Sequence, residues 1–369
     1  MEEWVNCTLG DLLTFQRGHD LPKSEMQSGE YPVVGSNGII GFHNEFTTNE
    51  PSVTIGRSGN VGNPFIYYGK TWSHNTTLYV KDFKGNDPVF IYYFLKTMDL
   101  SNYAGGSAVP TLNRNHIHTL PIRIPLNNQV QKKIGSLLKL FDDKIAENNS
   151  INENLEQQAQ AIFANEFLAL ESLPDGWKRG SLIDIADYLN GLAMQKYRPA
   201  ADEVGIPVLK IKELRQGCCD ATSEVCSPNI KTNYIIHDGD VIFSWSGSLL
   251  VDFWCGGICG LNQHLFKVTS SVYDKWFYYA WTKHHLERFI AVAADKATTM
   301  GHIKRDELSK AEVLIPNKAD YNRIGSLLHP IYDLIITNRI ESKKLAETRD
   351  TLLPKLMSGE IDISEVDYE

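Results

Sequence analysis

The chain has 369 residues, 42% hydrophobic and 22% charged, with a formal net charge of −9. It is too long for one ordinary core, too apolar to be disordered, and acidic where a protein binding nucleic acid alone would carry excess lysine and arginine. There is no run of about 18 apolar residues to span a bilayer, and the start, MEEWVNCTLG, is acidic rather than basic and then apolar, so a cytoplasmic protein without a signal peptide is expected.

Short β-type runs broken by turn residues fill the first part: YPVV at 31–34, SVTIGR at 52–57, PFIYYGKTW at 64–72 and TTLYV at 76–80. DPVFIYYFLKTM at 87–98 has aromatic and aliphatic residues at helical spacing, and IRIP at 122–125 ends the part on a strand. A long helix should follow. Ile134, Leu138, Phe141, Ile145, Asn148, Asn152, Leu155, Ala159 and Ile162 fall alternately four and three apart, a heptad seam.

The same order then returns. Trp4, Leu9, Asp11 and Gly18 recur as Trp177, Leu182, Asp184 and Gly191, at an offset of 173. YPVV recurs as IPVL at 206–209, Ser58 and Gly59 as Ser246 and Gly247, Asn75 and Leu78 as Asn262 and Leu265, and Arg114 with Pro125 as Arg305 with Pro316. DVIFSW, LLVDFW and HLFKV supply the strands, and DKWFYYAWTKHHLERFIAV at 274–292 the aromatic helix. IGSLL at 134–138 reappears at 324–328, and an offset of 190 carries the seam to Ile324, Leu328, Ile331, Ile335, Asn338, Ser342, Leu345, Arg349 and Leu352. Pro330 removes one hydrogen bond and should kink this second helix near its start. The matching Asn148 and Asn338 read as buried amides fixing register between the helices, the main helix-pairing positions being Phe141, Ile145, Leu155, Ile162, Ile331, Ile335, Leu345 and Leu352.

The expected fold is therefore α+β: two mixed α/β domains in tandem, 1–125 and 174–316, separated by long helices, 126–173 and 317–369, that pair as an antiparallel coiled coil. Helices of about 40 residues at 1.5 Å each are rods of roughly 60 Å. Two globular domains parted by a rod suit the reading of two separated sites on DNA. The helical segments are also the most acidic, at −3 each against −2 and −1 for the domains.

Signs of catalysis are weak. GNPF at 62–65 has one proline and no glycine-rich cofactor loop before it, and reads as a turn. No P-loop, HExxH or GxSxG occurs. Asp142 and Asp143 read as a solvated helix face. Cys7, Cys218, Cys219, Cys226, Cys255 and Cys259 lack CxxC spacing and read as free thiols rather than a zinc site, and nothing in the sequence places His284 and His285 beside a thiol.

With this repeat in place, the chain resembles the specificity subunit of Type I restriction-modification systems over nearly its whole length. VPTLNRNHI at 109–117 and TTMGHIKRDEL at 298–308 resemble the closing signature of the family's target-recognition domains. GLNQHLFKV at 260–268 is also similar, and QKKIGSLL with FDDKIAENNSINENLE, and LLPKLMSGEI at 352–361, resemble its conserved helices. The resemblance implies a non-catalytic reader of bipartite double-stranded DNA that recruits two methyltransferase (modification) subunits, with restriction subunits in the full complex. S-adenosylmethionine, ATP and Mg would then belong to those partners, with no cofactor or metal on this chain. A free-standing DNA-binding regulator dimerising through its long helices is the alternative.

Base edges call for arginine, lysine, asparagine or glutamine, while phosphates also accept hydroxyls and backbone amides. The candidates in the first domain are Arg57, Ser58 and Asn60, with His74, Asn75, Thr76, Asn113 and Arg114. In the second they are Lys210, Lys212, Arg215, Ser246 and Ser248 in the turn after Trp245, Gln263, His264, Lys304 and Arg305. The chain opens directly on its first domain and closes on the short acidic ISEVDYE, so no extra contact between its ends is expected.

Overall fold

The structure is a computed structural model that describes residues 4–106, 110–295 and 305–363. The chain forms two compact units, one of residues 1–144 and 345–369, the other of residues 145–344. The division cuts both long helices: the end of the second joins the N-terminal unit.

In unit 1, Trp4–Thr8 pairs antiparallel with Pro121–Pro125, closing the domain's start on its end. An antiparallel sheet follows the order Thr14–Arg17, Thr77–Asp82, Ser52–Gly56, Pro64–Tyr67. All five residues of Ser52–Gly56 are buried, as its unbroken β-branched run requires. A smaller sheet orders Gly38–His43, Tyr31–Gly35 and Trp72–Ser73, the last pair parallel. Asp87 accepts a hydrogen bond from the Phe90 N–H (2.8 Å) and caps Pro88–Thr97, whose Phe90, Tyr93 and Phe94 are core residues.

Unit 2 repeats the plan. Lys178–Ser181 pairs with Glu312–Ile315, and an antiparallel sheet orders Asp187–Asn190, Leu265–Thr269, Val241–Ser244 and Leu250–Phe253. The smaller sheet again contains a parallel pair, Ile206–Leu209 with Cys259–Leu261. The aromatic segment forms two helices rather than one, Lys275–His284 and Leu286–Asp295. His285, at the break, bonds through Nε2 to the Glu312 carbonyl (2.8 Å) and so ties the turn to a strand.

The long helices are Asn128–Phe163, 36 residues, and Lys318–Ser358, 41 residues, the second unbroken through exposed Pro330. They run antiparallel. In unit 2, Asn148 Nδ2 donates to Ser342 Oγ (3.2 Å) and Glu341 Oε2 (2.7 Å), Asn338 Nδ2 donates to Asn152 Oδ1 (2.9 Å), and Glu166 forms a fork with Arg323 (2.8 and 2.7 Å). The two asparagines at matching seam positions therefore do not bond to each other's side chains. An offset of 190 exchanges the pair Asn148–Ser342 with the pair Asn152–Asn338, so one polar layer is built twice. Ile335 is buried beside this layer, with Leu155, Ile162 and Ile331 partly buried against the same core. In unit 1, Asp142 pairs with Arg349 and accepts from Tyr93 Oη (2.5 Å), so this carboxylate is engaged rather than solvated. Phe141, Ile145 and Leu345 are half-buried, and Leu352 packs on the unit 1 core.

IGSLL does more than begin a seam. Ile134 and Leu138 enter the core of unit 1, and Ile324 and Leu328 that of unit 2. A Cβ on Gly135 would stand 2.8 Å from the Phe90 nitrogen, and one on Gly325 3.0 Å from Trp276 Nε1. Each glycine lets a long helix lie against its domain's aromatic helix. The chain ends also meet within unit 1: Leu356, Met357 and Ile363 share the N-terminal core, and Gly359 leaves no room for a Cβ beside the Trp4 ring. The expectation that they stay apart is corrected, because the second helix returns its apolar end to the N-terminal core, with Gly359 against the half-buried Trp4 ring.

Candidate nucleic-acid interface

The Arg57 turn of unit 1 is stitched on both sides. Its main-chain N–H donates to the Thr76 carbonyl (2.8 Å), its carbonyl accepts from Leu112 (2.9 Å), and Ser58 bridges to Thr111. Gly59 at φ +84° makes the turn possible, leaving Asn60 exposed. His74 Nδ1 pairs with Thr76 Oγ1 (3.1 Å), which accepts the Ser36 N–H (3.3 Å). Asn113 caps the helix Arg114–His118, and Arg114 Nη1 donates to the Phe15 carbonyl (3.5 Å). The separate candidates thus come to one surface, around a cleft of about 500 Å³ lined by Arg17, Arg57, Thr111, Asn113, Arg114 and His116. Arg17 and His116 escaped the sequence reading. Arg17 ends an inconspicuous strand, and only sheet pairing shows that it faces Arg57's cleft.

In unit 2 the Trp245 N–H donates to the His264 carbonyl (3.4 Å). Ser246 Oγ pairs with His264 Nδ1 (3.1 Å), Ser244 Oγ donates to the Ser248 carbonyl (2.8 Å), and Gln263 Nε2 lies 3.3 Å from His264 Nε2. Arg305 Nη2 donates to the Tyr188 carbonyl (3.0 Å) and borders a cleft of about 570 Å³ with Asp187, Lys267 and Asn233. The helix Ile211–Gln216 abuts this turn, Ile211 lying 3.7 Å from where a Gly247 Cβ would be. Its basic residues are engaged differently: Lys210 pairs with Glu224 (2.6 Å), Lys212 with Asp220 (3.2 Å), and Arg215 is exposed. Lys304 lies outside the described residues.

Gly18 and Gly191 explain the repeat at this point. A Cβ on Gly18 would fall inside the His74 carbonyl, and one on Gly191 inside that of Asn262. His74 therefore corresponds to Asn262, an offset of 188, one more than the sequence match of Asn75 with Asn262 implies. The strand pairing agrees, with Arg17 opposite Leu78 and Asn190 opposite Phe266. One residue matters, since a slip of one exchanges the two faces of a strand. Arg114 and Arg305 are also equivalent, each donating to the carbonyl of a core aromatic at offset 173, Phe15 or Tyr188.

Cys226, Cys255 and Cys259 are buried, and Cys7, Cys218 and Cys219 are half-buried. Burial pushes Cys255 up to about 11, the wrong direction for a nucleophile, and pulls His285 down to about 4. Among the described residues no three histidine, cysteine or acidic side chains gather as a metal group.

Residues 1–157 and 174–347 match the Type I restriction modification DNA specificity domain, one match over each copy of the repeat. The chain belongs to that family. A role in DNA-sequence specificity comes with membership, as the resemblance in its sequence implied. The chain is 28% identical to the MjaIX specificity subunit of Methanocaldococcus jannaschii over 306 residues, covering 75% of this chain and 70% of the relative. It is 20% identical to the HindI specificity subunit of Haemophilus influenzae over 359 residues, covering 74% and 77%. The crystal structure of a Type I restriction-modification S subunit from M. genitalium shares the fold, with a TM-score of 0.65, 16% identity and 96% of each chain covered. No helix among the described residues is long and apolar enough to cross a membrane.

Proposed function

We propose that this chain is the non-catalytic specificity subunit of a Type I restriction-modification complex. Residues 1–125 read one half of a bipartite double-stranded DNA target and residues 174–316 the other, while the helices within 126–173 and 317–369 set the unread gap. Two modification subunits, and restriction subunits in the full complex, dock on this frame and bring S-adenosylmethionine, ATP and Mg. The observation that carries the reading is the double construction of one turn: Arg57 and Trp245 each donate the main-chain N–H to the matching carbonyl, Thr76 or His264, with different side chains around them. A reader of two unlike half-sites needs a constant scaffold and variable contacts. Phosphate contacts from partner subunits offset the acidity of this chain.

Co-expression with its modification partner tests the proposal. The expected product is a complex of two partners per chain that methylates one bipartite motif; a chain that stays alone and directs no methylation would refute it. Removing one heptad from each long helix should shorten the gap by about 3 base pairs, since seven residues span ~10 Å, without altering either half-site.

A further inference from the structure

Because the main-chain bonds made by Gly18 and Arg57 recur at Gly191 and Trp245, the side chains at matching positions can be compared directly. Gly18 donates to the Thr77 carbonyl and Gly191 to that of Leu265; Arg57 donates to Thr76 and Trp245 to His264. On this register Arg17, Asp20, Arg57 and Asn75 of unit 1 stand where Asn190, Ala193, Trp245 and Gln263 stand in unit 2.

In unit 1 the four form one cluster. Asp20 pairs with Arg17 (3.3 Å) and accepts from the Asn75 amide, and the Asn75 carbonyl accepts from Arg57 Nη1 (3.4 Å). Both guanidinium groups line the same cleft, each restrained along one side. A planar donor fork held in this way matches the O6 and N7 acceptors on the major-groove edge of guanine. None of the four unit 2 positions carries a charge. Trp245 stacks on Phe266 (5.6 Å between ring centres), and its Nε1–H is already donated to Asn190 Oδ1 (3.0 Å).

We infer that unit 1 reads a G·C pair through Arg17 and Arg57, with Asp20 as a positioning residue, and that unit 2 reads no guanine at the matching place. The inference rests on the reading of the chain as a two-half DNA reader and adds the base chemistry by which the halves differ.

Methylated motifs would be mapped genome-wide for the complete complex carrying the parent chain, Arg57→Lys, Arg17→Lys or Asp20→Asn. The lysine variants keep the charge and lose the fork; Asp20→Asn keeps the shape and loses the buttress. One half of the parent motif should contain a guanine at which each variant admits other bases, discrimination falling roughly five- to 150-fold, with the other half unchanged. Three results would overturn the inference and leave the two-half reading standing: a parent motif with no G·C pair, relaxation at an A·T position, or an evenly lowered yield with the motif intact. A complex that methylates no bipartite motif would overturn both. Should a variant fail to assemble, the parent motif and the remaining variants still decide.

Discussion

Replacing Gly135 with alanine sets two effects against each other. Inside an exposed helix the change is worth about 1 kcal/mol in favour of folding, because alanine loses less backbone freedom. Here the new methyl group would lie 2.8 Å from the Phe90 nitrogen and 3.1 Å from Asp87 Oδ1. Neither atom can turn aside, since one is backbone and the other holds the N-cap bond to Phe90 (2.8 Å). Forcing the helices apart costs about 1–3 kcal/mol in overpacking, and losing the cap costs about 1 kcal/mol more. The balance is a loss of roughly 1–3 kcal/mol, a fall of about 2–12 °C in the melting of unit 1 at the ~2–4 °C per kcal/mol usual for units of this size. Gly325→Ala meets the edge of the Trp276 ring at 3.0 Å rather than backbone at 2.8 Å, and should cost less than Gly135→Ala. Scanning calorimetry of the full chain measures both. A rise in melting temperature for Gly135→Ala would show that the long helix does not dock against Pro88–Thr97.

The buried amide layer predicts a cycle: Asn338→Leu strands the Asn152 carboxamide oxygen and should cost about 1–3 kcal/mol, whereas Asn152→Leu with Asn338→Leu should recover most of it. Equal losses for the single and double variants in urea unfolding would rule out the Asn152–Asn338 bond as the source. Arg339 lies between Asp252 (2.6 Å) and Glu156 (2.9 Å). Arg339→Met leaves two carboxylates without that partner and should destabilise unit 2 by about 2–3 kcal/mol, below the fully buried case because the pairs keep some solvent; an unchanged unfolding midpoint would count against it. His285, near 6.5 when unfolded and about 4 when folded, binds a proton more readily in the unfolded chain. Its contribution is complete above pH 6.5 and drains away as the pH falls to 4, by at most about 3 kcal/mol. His285→Gln should flatten that part of the stability profile, and a profile identical to the parent's would exclude His285 as its origin.

The repeat, the heptad seam and the strand runs could all be read in the sequence because each is a periodicity, and burial on one face imposes periodicity on residue choice. Asn148 and Asn338 lie at seam spacing, and both are buried. Individual contacts carry no such signal. Arg17 had nothing in its neighbourhood to mark it, and reaches the Arg57 cleft only because Thr14–Arg17 pairs with Thr77–Asp82, more than sixty residues later. Pairing His74 with Asn262, rather than one residue away, likewise required the close backbone approach at Gly18 and Gly191. The sequence by itself determined that one plan is built twice and joined by long helices. Tertiary structure decided which side chains share a surface, because sheet register and helix docking are settled by contacts between segments distant in the chain, and each segment records only its own half of such a contact.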